Sequence, residues 1–459
     1  MDERERKQAA QYRKMTEQPV GKLVATLAIP TILSMLISNF YNMVDTAFVG
    51  ELGTSASGAV GIVFGYMAIL QAIGFMCGQG AGSTMSRKLG NKDIEGANRY
   101  TSTGFFMSLT LGAIIGVLSM FFLTPLIFLL GSTSTIAVYA KQYIRFIIVA
   151  APFQTSSLTM NNLLRYEGKA KLGMIGLMTG AVLNICGDAL FMKVLHMGVY
   201  GAGLSTMLTQ IISFCILVYM FLSGKTQTVL SRRQVSKKIS DYFNIVATGF
   251  PSLLRQALNS ISTMLLNGNA SMYGDAAVAA MSIASRVGFF AMSVGLGIGQ
   301  GFQPVSSFNY GARKFERVKK AYWFTLGLSE TLLFIGVVPI FFLAEPVVRI
   351  FRDDPQVILY GTRALKLHLV ALLFVPLSMI TEMGFQSTGQ RLLSSITSSM
   401  RSGVIMIPSL LILSKLQGMN GIMEAQPAAY VITFFICIIF SRVFLKSVTP
   451  HQSASKSTV

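Results

Sequence analysis

Long apolar runs recur along almost the entire chain, and they constrain the fold more than any other feature of the sequence. A run of about 20 mostly apolar residues, wound as an α-helix, crosses the hydrocarbon core of a bilayer. Of the 459 residues, 52% are hydrophobic and only 12% are charged, whereas a typical soluble domain is roughly 25% charged. This composition excludes a soluble globular protein and predicts an all-α polytopic membrane protein.

Polar breaks between the apolar runs divide the chain into twelve predicted transmembrane helices. They are 23–48, 57–81, 100–123, 136–160, 171–195, 199–222, 243–268, 276–302, 320–344, 357–383, 395–415 and 425–446. The charged amino-terminal tail, 1–22, lacks the short apolar core of a signal peptide. We therefore expect the first span itself to direct insertion.

The charge of the chain indicates its orientation. There are 38 Lys and Arg against 19 Asp and Glu, a net charge of +19. The basic residues are concentrated in the amino-terminal tail and in every second loop, as the positive-inside rule requires of cytoplasmic segments. The distribution predicts cytoplasmic tails at 1–22 and 447–459 and argues against a nucleic-acid partner.

An internal repeat with an offset of 221 residues divides the chain into two halves. It relates Pro30 to Pro251 and the GQG at 78–80 to the GQG at 299–301. Six helices per repeat give both halves the same orientation, a parallel duplication common in transporters. We predict two six-helix bundles, 23–223 and 243–446, joined by a basic cytoplasmic linker at 224–242 and enclosing a central cavity.

Four acidic residues fall within predicted spans, where an ionised carboxylate is costly and usually faces a cavity. They are Asp45, Asp188, Glu330 and Glu382. The repeat ranks them, because a residue kept only for packing should have a similar counterpart in the other half. Asp45 and Asp188 instead correspond to Leu266 and Ser409.

Further polar residues belong with the two aspartates in the amino-terminal bundle. Asn184 lies one helical turn before Asp188, as Tyr41 lies before Asp45. We expect two carboxylates, two carboxamides and a hydroxyl to converge; these are Asp45, Asn161, Asn184, Asp188 and Thr206. Such a set suits a proton or a sodium ion, the alternative being a structural hydrogen-bond network.

Other residues are candidates for the cavity or for gating. Pro30 lies inside the first span, where it should kink the helix. In the second half, Glu382 is the counterpart of Asn161, and Arg255 and Arg401 either pair with Glu382, line the cavity or snorkel to the membrane surface. The cysteines and histidines show no metal-ligand spacing and no P-loop is present, so we expect no cofactor.

Several stretches of the sequence resemble the multidrug and toxin extrusion (MATE) family of cation-coupled exporters. They are MVDTAFVGELG from Met43, GQGAGSTMSRKLG from Gly78, NNLLRYEGKAK from Asn161, LNICGDALF from Leu183, GAGLSTMLTQ from Gly201 and FQSTGQ from Phe385. The resemblance covers nearly the whole chain. It implies a cation site formed by Asp45, Asn161, Asn184, Asp188 and Thr206. One branch of the family also uses a carboxylate on the seventh span, where this chain has Asn259.

The function predicted from the sequence is an antiporter that exports organic, often cationic, drugs in exchange for H⁺ or Na⁺. We expect a monomer in the cytoplasmic membrane of a bacterium, with membrane lipid and small organic molecules as its partners. A lipid-linked glycan flippase of the same fold remains an alternative, although it would need several cationic groups in the cavity for a pyrophosphate, and the candidates for that role are Arg255, Arg286 and Arg401. An intramembrane enzyme would need a catalytic pair or metal site that the motifs do not supply.

Overall fold

The computed structural model describes residues 3–449, and the regular elements over that range are helices. They are α1 (Glu3–Glu17), α2 (Val20–Gly50), α3 (Thr54–Gly90), α4 (Ile94–Phe121), α5 (Leu123–Leu129), α6 (Ser134–Tyr166), α7 (Ala170–Asp188), α8 (Gly198–Leu222), α9 (Ile239–Ser271), α10 (Asp275–Gly311), α11 (Phe315–Phe342), α12 (Ala344–Phe351), α13 (Pro355–Leu372), α14 (Val375–Thr388), α15 (Arg391–Ser399), α16 (Met406–Gln417) and α17 (Met419–Ser447). Two π-helical segments, Ala189–Val194 and Met400–Val404, follow α7 and α15. The predicted all-α membrane fold is confirmed.

Ten helices within residues 3–449 are long and apolar enough to cross a membrane. The number rises to eleven if α13 and α14 form one bent span. The predicted span 243–268 lies in α9, which is not among them. With 33 residues α9 is about 50 Å long, so it has the length of a span but is interrupted by polar side chains such as Arg255 and Asn259.

The predicted tenth span, 357–383, is broken in the structure. α13 and α14 meet at an angle of 49° across a short break at residues 373–374. Pro376 stands in the first turn of α14. Because a proline ring cannot donate a backbone hydrogen bond and collides with the preceding turn, it ends one helix and begins another.

Contacts divide the chain into two compact units. The amino-terminal unit comprises Pro30–Ser86 and Asp93–Gln256, and the carboxy-terminal unit comprises the residues up to Ile29, Arg87–Lys92 and the chain from Ala257 onward. The division passes through α2 at Pro30 and through α9 after Gln256. The first helix of each repeat therefore contributes to both units, whereas the lobe boundaries predicted from sequence, 23 and 243, stay a prediction.

The repeated GQG motifs lie at close helix crossings. In the amino-terminal unit, a Cβ at Gly80 of α3 would lie 2.0 Å from the Ile245 carbonyl oxygen of α9. A Cβ at Gly249 would lie 1.9 Å from the Met76 carbonyl oxygen. In the carboxy-terminal unit, the repeat-related Gly301 of α10 packs on Ala28 of α2 in the same way, with a Cβ 2.7 Å from its Cα. Only glycine allows these backbones to approach so closely.

The linker is folded against the amino-terminal unit. The buried carboxylate of Glu167, between α6 and α7, accepts a hydrogen bond from the Thr228 backbone N–H at 2.7 Å. On α4, Asn98 Oδ1 accepts from Val229 N at 3.0 Å and Thr103 Oγ1 accepts from Ser236 N at 2.8 Å. Side chains of the unit thus satisfy the backbone of a segment that has little regular structure.

The amino-terminal tail is helical in the described residues. α1 packs on the carboxy-terminal unit, where Asn309 Nδ2 donates to the Met15 carbonyl oxygen at 3.1 Å. Arg317 Nη2 donates to the Gln18 carbonyl oxygen at 2.6 Å. The sequence predicts this tail only as a polar extension. In the structure it is held by hydrogen bonds to the end of α10 and the start of α11.

Candidate functional site

Two acidic side chains meet inside the amino-terminal unit. Asp45 comes from α2 and is 3% exposed, and Asp188, the last residue of α7, is fully buried. Their carboxyl groups are close enough to interact directly. Two buried carboxylates at this separation cannot both carry a charge without compensation, because each is desolvated and repels the other.

Asn184 joins the pair to α8. Its Nδ2 donates to Ser205 Oγ at 3.2 Å and lies 3.4 Å from Thr206 Oγ1. Ser205 Oγ in turn donates to the Asn184 carbonyl oxygen. The close approach of α7 and α8 depends on Gly187, since a Cβ there would lie 2.5 Å from Ser205 Oγ. The glycine between Asn184 and Asp188 thus helps to position both side chains.

Two tyrosines complete the cluster. Tyr41 of α2 lies close enough to both aspartates to interact with them electrostatically. The fully buried Tyr143 of α6 does the same, and its hydroxyl is 3.5 Å from Thr206 Oγ1. Tyr143 and Ser205 are not among the site residues predicted from the sequence. The repeat offered a signal for Tyr143, because its counterpart 221 residues later is Ala364.

Several oxygen atoms of the cluster accept no hydrogen bond from any residue that the structure describes. They are Asp45 Oδ1, Asn184 Oδ1 and both carboxylate oxygens of Asp188. Buried polar atoms normally form hydrogen bonds. A set of buried oxygen atoms that accept none from the protein therefore indicates a site for a bound ligand. Oxygen ligands of this kind suit a proton or a hard cation such as Na⁺. Within residues 3–449 no group of three or more His, Cys, Asp or Glu is placed to hold a metal ion.

The structure does not bring Asn161 to this cluster, so the expectation that all five residues converge is wrong for Asn161. Its side chain lies in the last turns of α6 against Gly173, near the start of α7. Asn184 is eleven residues further along α7, which corresponds to roughly 16 Å. The four residues Asp45, Asn184, Asp188 and Thr206 do come together.

The candidates for the cavity and for gating are dispersed. Pro30 is buried in α2, at the point where the contacts of that helix pass from one unit to the other. Arg255 is 7% exposed and lies near Arg165 in the amino-terminal unit.

In the carboxy-terminal unit, Glu382 and Arg401 are buried and both lie near Cys437. Arg401 Nη1 donates to Ser378 Oγ at 3.3 Å. Asn259 is exposed on α9.

The MatE family model matches residues 30–190 and 251–412, well over half of the chain. The chain belongs to the MatE family. The two matched segments begin 251 − 30 = 221 residues apart, which is the offset of the internal repeat. Membership confirms the resemblance noted in the sequence and makes the chain a transporter and not an enzyme.

Curated relatives and a solved structure match over nearly their full length. The chain is 25% identical over 427 residues to multidrug export protein MepA of Staphylococcus haemolyticus, covering 92% of this chain and 93% of that protein. It is 26% identical to MepA of Staphylococcus aureus, covering 88% and 90%. A structure described as a MOP superfamily transporter from Pyrococcus furiosus superimposes with a TM-score of 0.90 at 25% identity, covering 95% of this chain and 98% of the other.

Proposed function

We propose that this MatE transporter is an antiporter that exports multiple organic, often cationic, compounds in exchange for inward H⁺ or Na⁺. The observation that carries the proposal is the buried pair of Asp45 and Asp188, with four cluster oxygens that accept no hydrogen bond from the described residues. The relatives named multidrug export proteins support the substrate class.

The chemistry of the pair provides a means of exchange. When Asp45 and Asp188 hold a proton or a sodium ion, their negative charge is compensated. The pair then no longer attracts an organic cation. When the pair is ionised, it attracts a cationic drug through a medium of low dielectric constant, where charges act strongly. Ion and drug thus compete for the same negative charge, and that competition is a coupling free energy between two ligands.

α2 is the element that converts this competition into a change of shape. Asp45 is fifteen residues beyond Pro30 on α2, or about 22 Å along the helix axis. Pro30 leaves the carbonyl of residue 26 without its helical donor, so α2 bends there at low cost. Neutralising the pair removes the repulsion between α2 and α7 and lets α2 bend at Pro30, which alternately exposes the cavity to the two sides.

We place the transporter in a bacterial cytoplasmic membrane with both termini in the cytoplasm, and we expect it to act as a monomer. The orientation rests on the basic residues of alternate loops and the adjoining helix ends, such as Arg87 and Lys88 in the last turn of α3 and Lys92 after it. Cysteine labelling from either side of the membrane would test it.

The test of the function is export of fluorescent organic cations from proteoliposomes with a proton gradient and a sodium gradient imposed separately. We expect at least one gradient to drive export and Asp45→Asn to abolish it. Glu51→Gln is the matched control, because it removes an acid that is exposed and only six residues away. Full activity of Asp45→Asn, or export that neither gradient drives, would overturn the proposal.

A further inference from the structure

A wide groove lies on the carboxy-terminal unit. It has a volume of about 810 Å³ and is bordered by α11, α13 and α17, which is within the range of roughly 300–1,000 Å³ typical of small-molecule sites. Its apolar lining includes Ile358, Leu359, Leu367, Val370, Phe374 and Val431. Leu359 is 68% exposed and Val370 47% exposed, as expected of side chains that face hydrocarbon in a membrane.

Polar side chains occupy one face of α13 within this groove. Thr362 and Lys366 are four residues apart, one helical turn, and Arg363 lies beside them. Thr362 Oγ1 is buried and has no hydrogen-bond partner among the residues that the structure describes. The hydroxyl is covered by other atoms of the protein, so Arg363 and Lys366 are the basic groups that a ligand in the groove meets.

Lys366 is the cation of this groove that no acidic residue pairs with in the described part of the chain. Glu345 is bound to Arg349 at 3.1 Å, and Arg363 to Glu424 at 3.4 Å. In the described part of the chain, Lys366 has only a contact with an aromatic ring, its Nζ lying 5.5 Å from the Phe341 ring centroid. Glu345, the acid that borders the groove, is thus paired with an arginine, and among the described residues the ammonium group of Lys366 has no anionic partner.

The position of Lys366 along its helix matters. It is eleven residues from Pro355, the start of α13, or roughly 16 Å, about half the thickness of the hydrocarbon core. Its ammonium group nevertheless lies at Phe341, the penultimate residue of α11. α11 ends and α13 begins on the same side of the membrane, so the lysine extends from mid-depth toward the surface, as snorkelling residues do.

We propose that this groove binds one anionic phospholipid, with its phosphate on Lys366 and an acyl chain along the apolar floor. The groove combines a cation with an apolar lining, as an anionic lipid combines a phosphate with acyl chains. The charge of Lys366 disfavours an organic cation, so the groove is distinct from the site of the exported drug. The proposal does not depend on the coupling mechanism.

Quenching of tryptophan fluorescence by brominated lipid tests this directly. The chain contains a single tryptophan, Trp323, so Trp323→Phe removes the native tryptophan fluorescence. Val370→Trp then introduces one tryptophan on the floor of the groove as the reporter. The protein is reconstituted in phosphatidylcholine vesicles that contain either brominated phosphatidylglycerol or brominated phosphatidylcholine. We expect phosphatidylglycerol to quench with about fivefold preference, the value for one cationic residue near a membrane surface.

Variants of the lysine assign the preference. Lys366→Ala should abolish it and Lys366→Arg should retain it. Lys415→Ala is the matched control, since Lys415 is an exposed cation in the last turn of α16 and does not border the groove. A reporter at Leu359→Trp repeats the measurement if Val370→Trp does not fold. Equal quenching by the two lipids, or a preference that survives Lys366→Ala, would overturn the proposal.

Discussion

The hydroxyl groups of Ser205 and Thr206 lie beside the acidic pair and form hydrogen bonds with the backbone. Ser205 donates to the Asn184 carbonyl oxygen, and Thr206 donates to the Ala202 carbonyl oxygen at 3.0 Å. Both hydroxyl groups thus have a backbone carbonyl as acceptor. Tyr143 is the buried hydroxyl beside them, 3.5 Å from Thr206, and we expect it to hold Thr206 and the ion in place.

Removing that hydroxyl should slow transport without unfolding the protein. We expect Tyr143→Phe to reduce gradient-driven export roughly two- to fivefold, because a single hydrogen bond is worth about 1 kcal/mol or less at this length. Tyr139→Phe, one turn earlier on α6 and 40% exposed, is the control and should leave the rate unchanged. Equal rates in the two variants would contradict the role given to Tyr143.

The contribution of Glu167, which contacts the linker at Thr228, depends on pH. Burial raises the pKa of this carboxyl from 4.5 to about 7. The folded state therefore favours the protonated form, and its contribution to stability is fully present below pH 4.5 and is lost as the pH rises through about 7. In Glu167→Gln that loss, at most about 3 kcal/mol, should disappear.

Thermal unfolding in detergent between pH 4.5 and 8 measures this difference. The unsubstituted protein should lose stability with rising pH relative to Glu167→Gln. Glu316→Gln removes an acid that is 70% exposed and should leave the pH profile unchanged. Parallel profiles for Glu167→Gln and the unsubstituted protein would show that Glu167 does not titrate in this range.

The repeat is informative about individual residues only where its halves differ. Asp45, Asn184, Asp188 and Thr206 could be selected from the sequence because their counterparts are apolar or unable to ionise. Asn161 could not be placed, since periodicity assigns a residue to a helix but does not say how far along the membrane its side chain meets another helix. Its contact with Gly173 depends on the tertiary packing of α6 against α7, which the sequence pattern does not show.

At the scale of helices, glycine crossings replace the larger side chains that pack most soluble helices. The crossing of α3 and α9 depends on Gly80 and Gly249, whose Cβ positions would overlap backbone oxygens. Such contacts arise from van der Waals packing at short range, which membrane helices use in place of a hydrophobic driving force.

A single methyl group at such a crossing should be destabilising. We expect Gly80→Ala to lower the free energy of unfolding by about 1–3 kcal/mol, the cost of overpacking. Gly61→Ala, in the same helix with nothing within 4 Å of its Cβ position, should be neutral or stabilising by up to about 1 kcal/mol. Thermal melting of both variants in detergent is the measurement, and a Gly80→Ala variant as stable as Gly61→Ala would contradict the packing argument.

The order and approximate extent of the helices could be predicted from hydropathy alone, but their interruptions could not. Pro376 is visible in the sequence, yet a proline in a membrane helix can leave the helix continuous, as Pro30 does in α2, or break it, as between α13 and α14. Neighbouring helices decide between these outcomes by satisfying the freed backbone groups. α1 was missed as a helix because a short polar segment has no apolar periodicity.

For the whole molecule, the duplicated architecture and the asymmetric chemistry have different origins. The repeat builds two similar units and places glycine crossings in both. The paired carboxylates occur only in the amino-terminal half, because Leu266 and Ser409 occupy the equivalent positions. α2 carries Asp45 and contributes residues to both units, so a change in charge at Asp45 acts on a helix that both units share.

The central claim is that ion and drug compete for the charge of Asp45 and Asp188. The most direct measurement is titration of the purified protein in weakly buffered detergent with an organic cation, recording proton release by a pH indicator and repeating the titration with and without sodium. We expect drug binding to release protons or to be weakened by sodium, and Asp45→Asn and Asp188→Asn to lose this linkage. Drug affinity that is independent of both pH and sodium in the unsubstituted protein would contradict it.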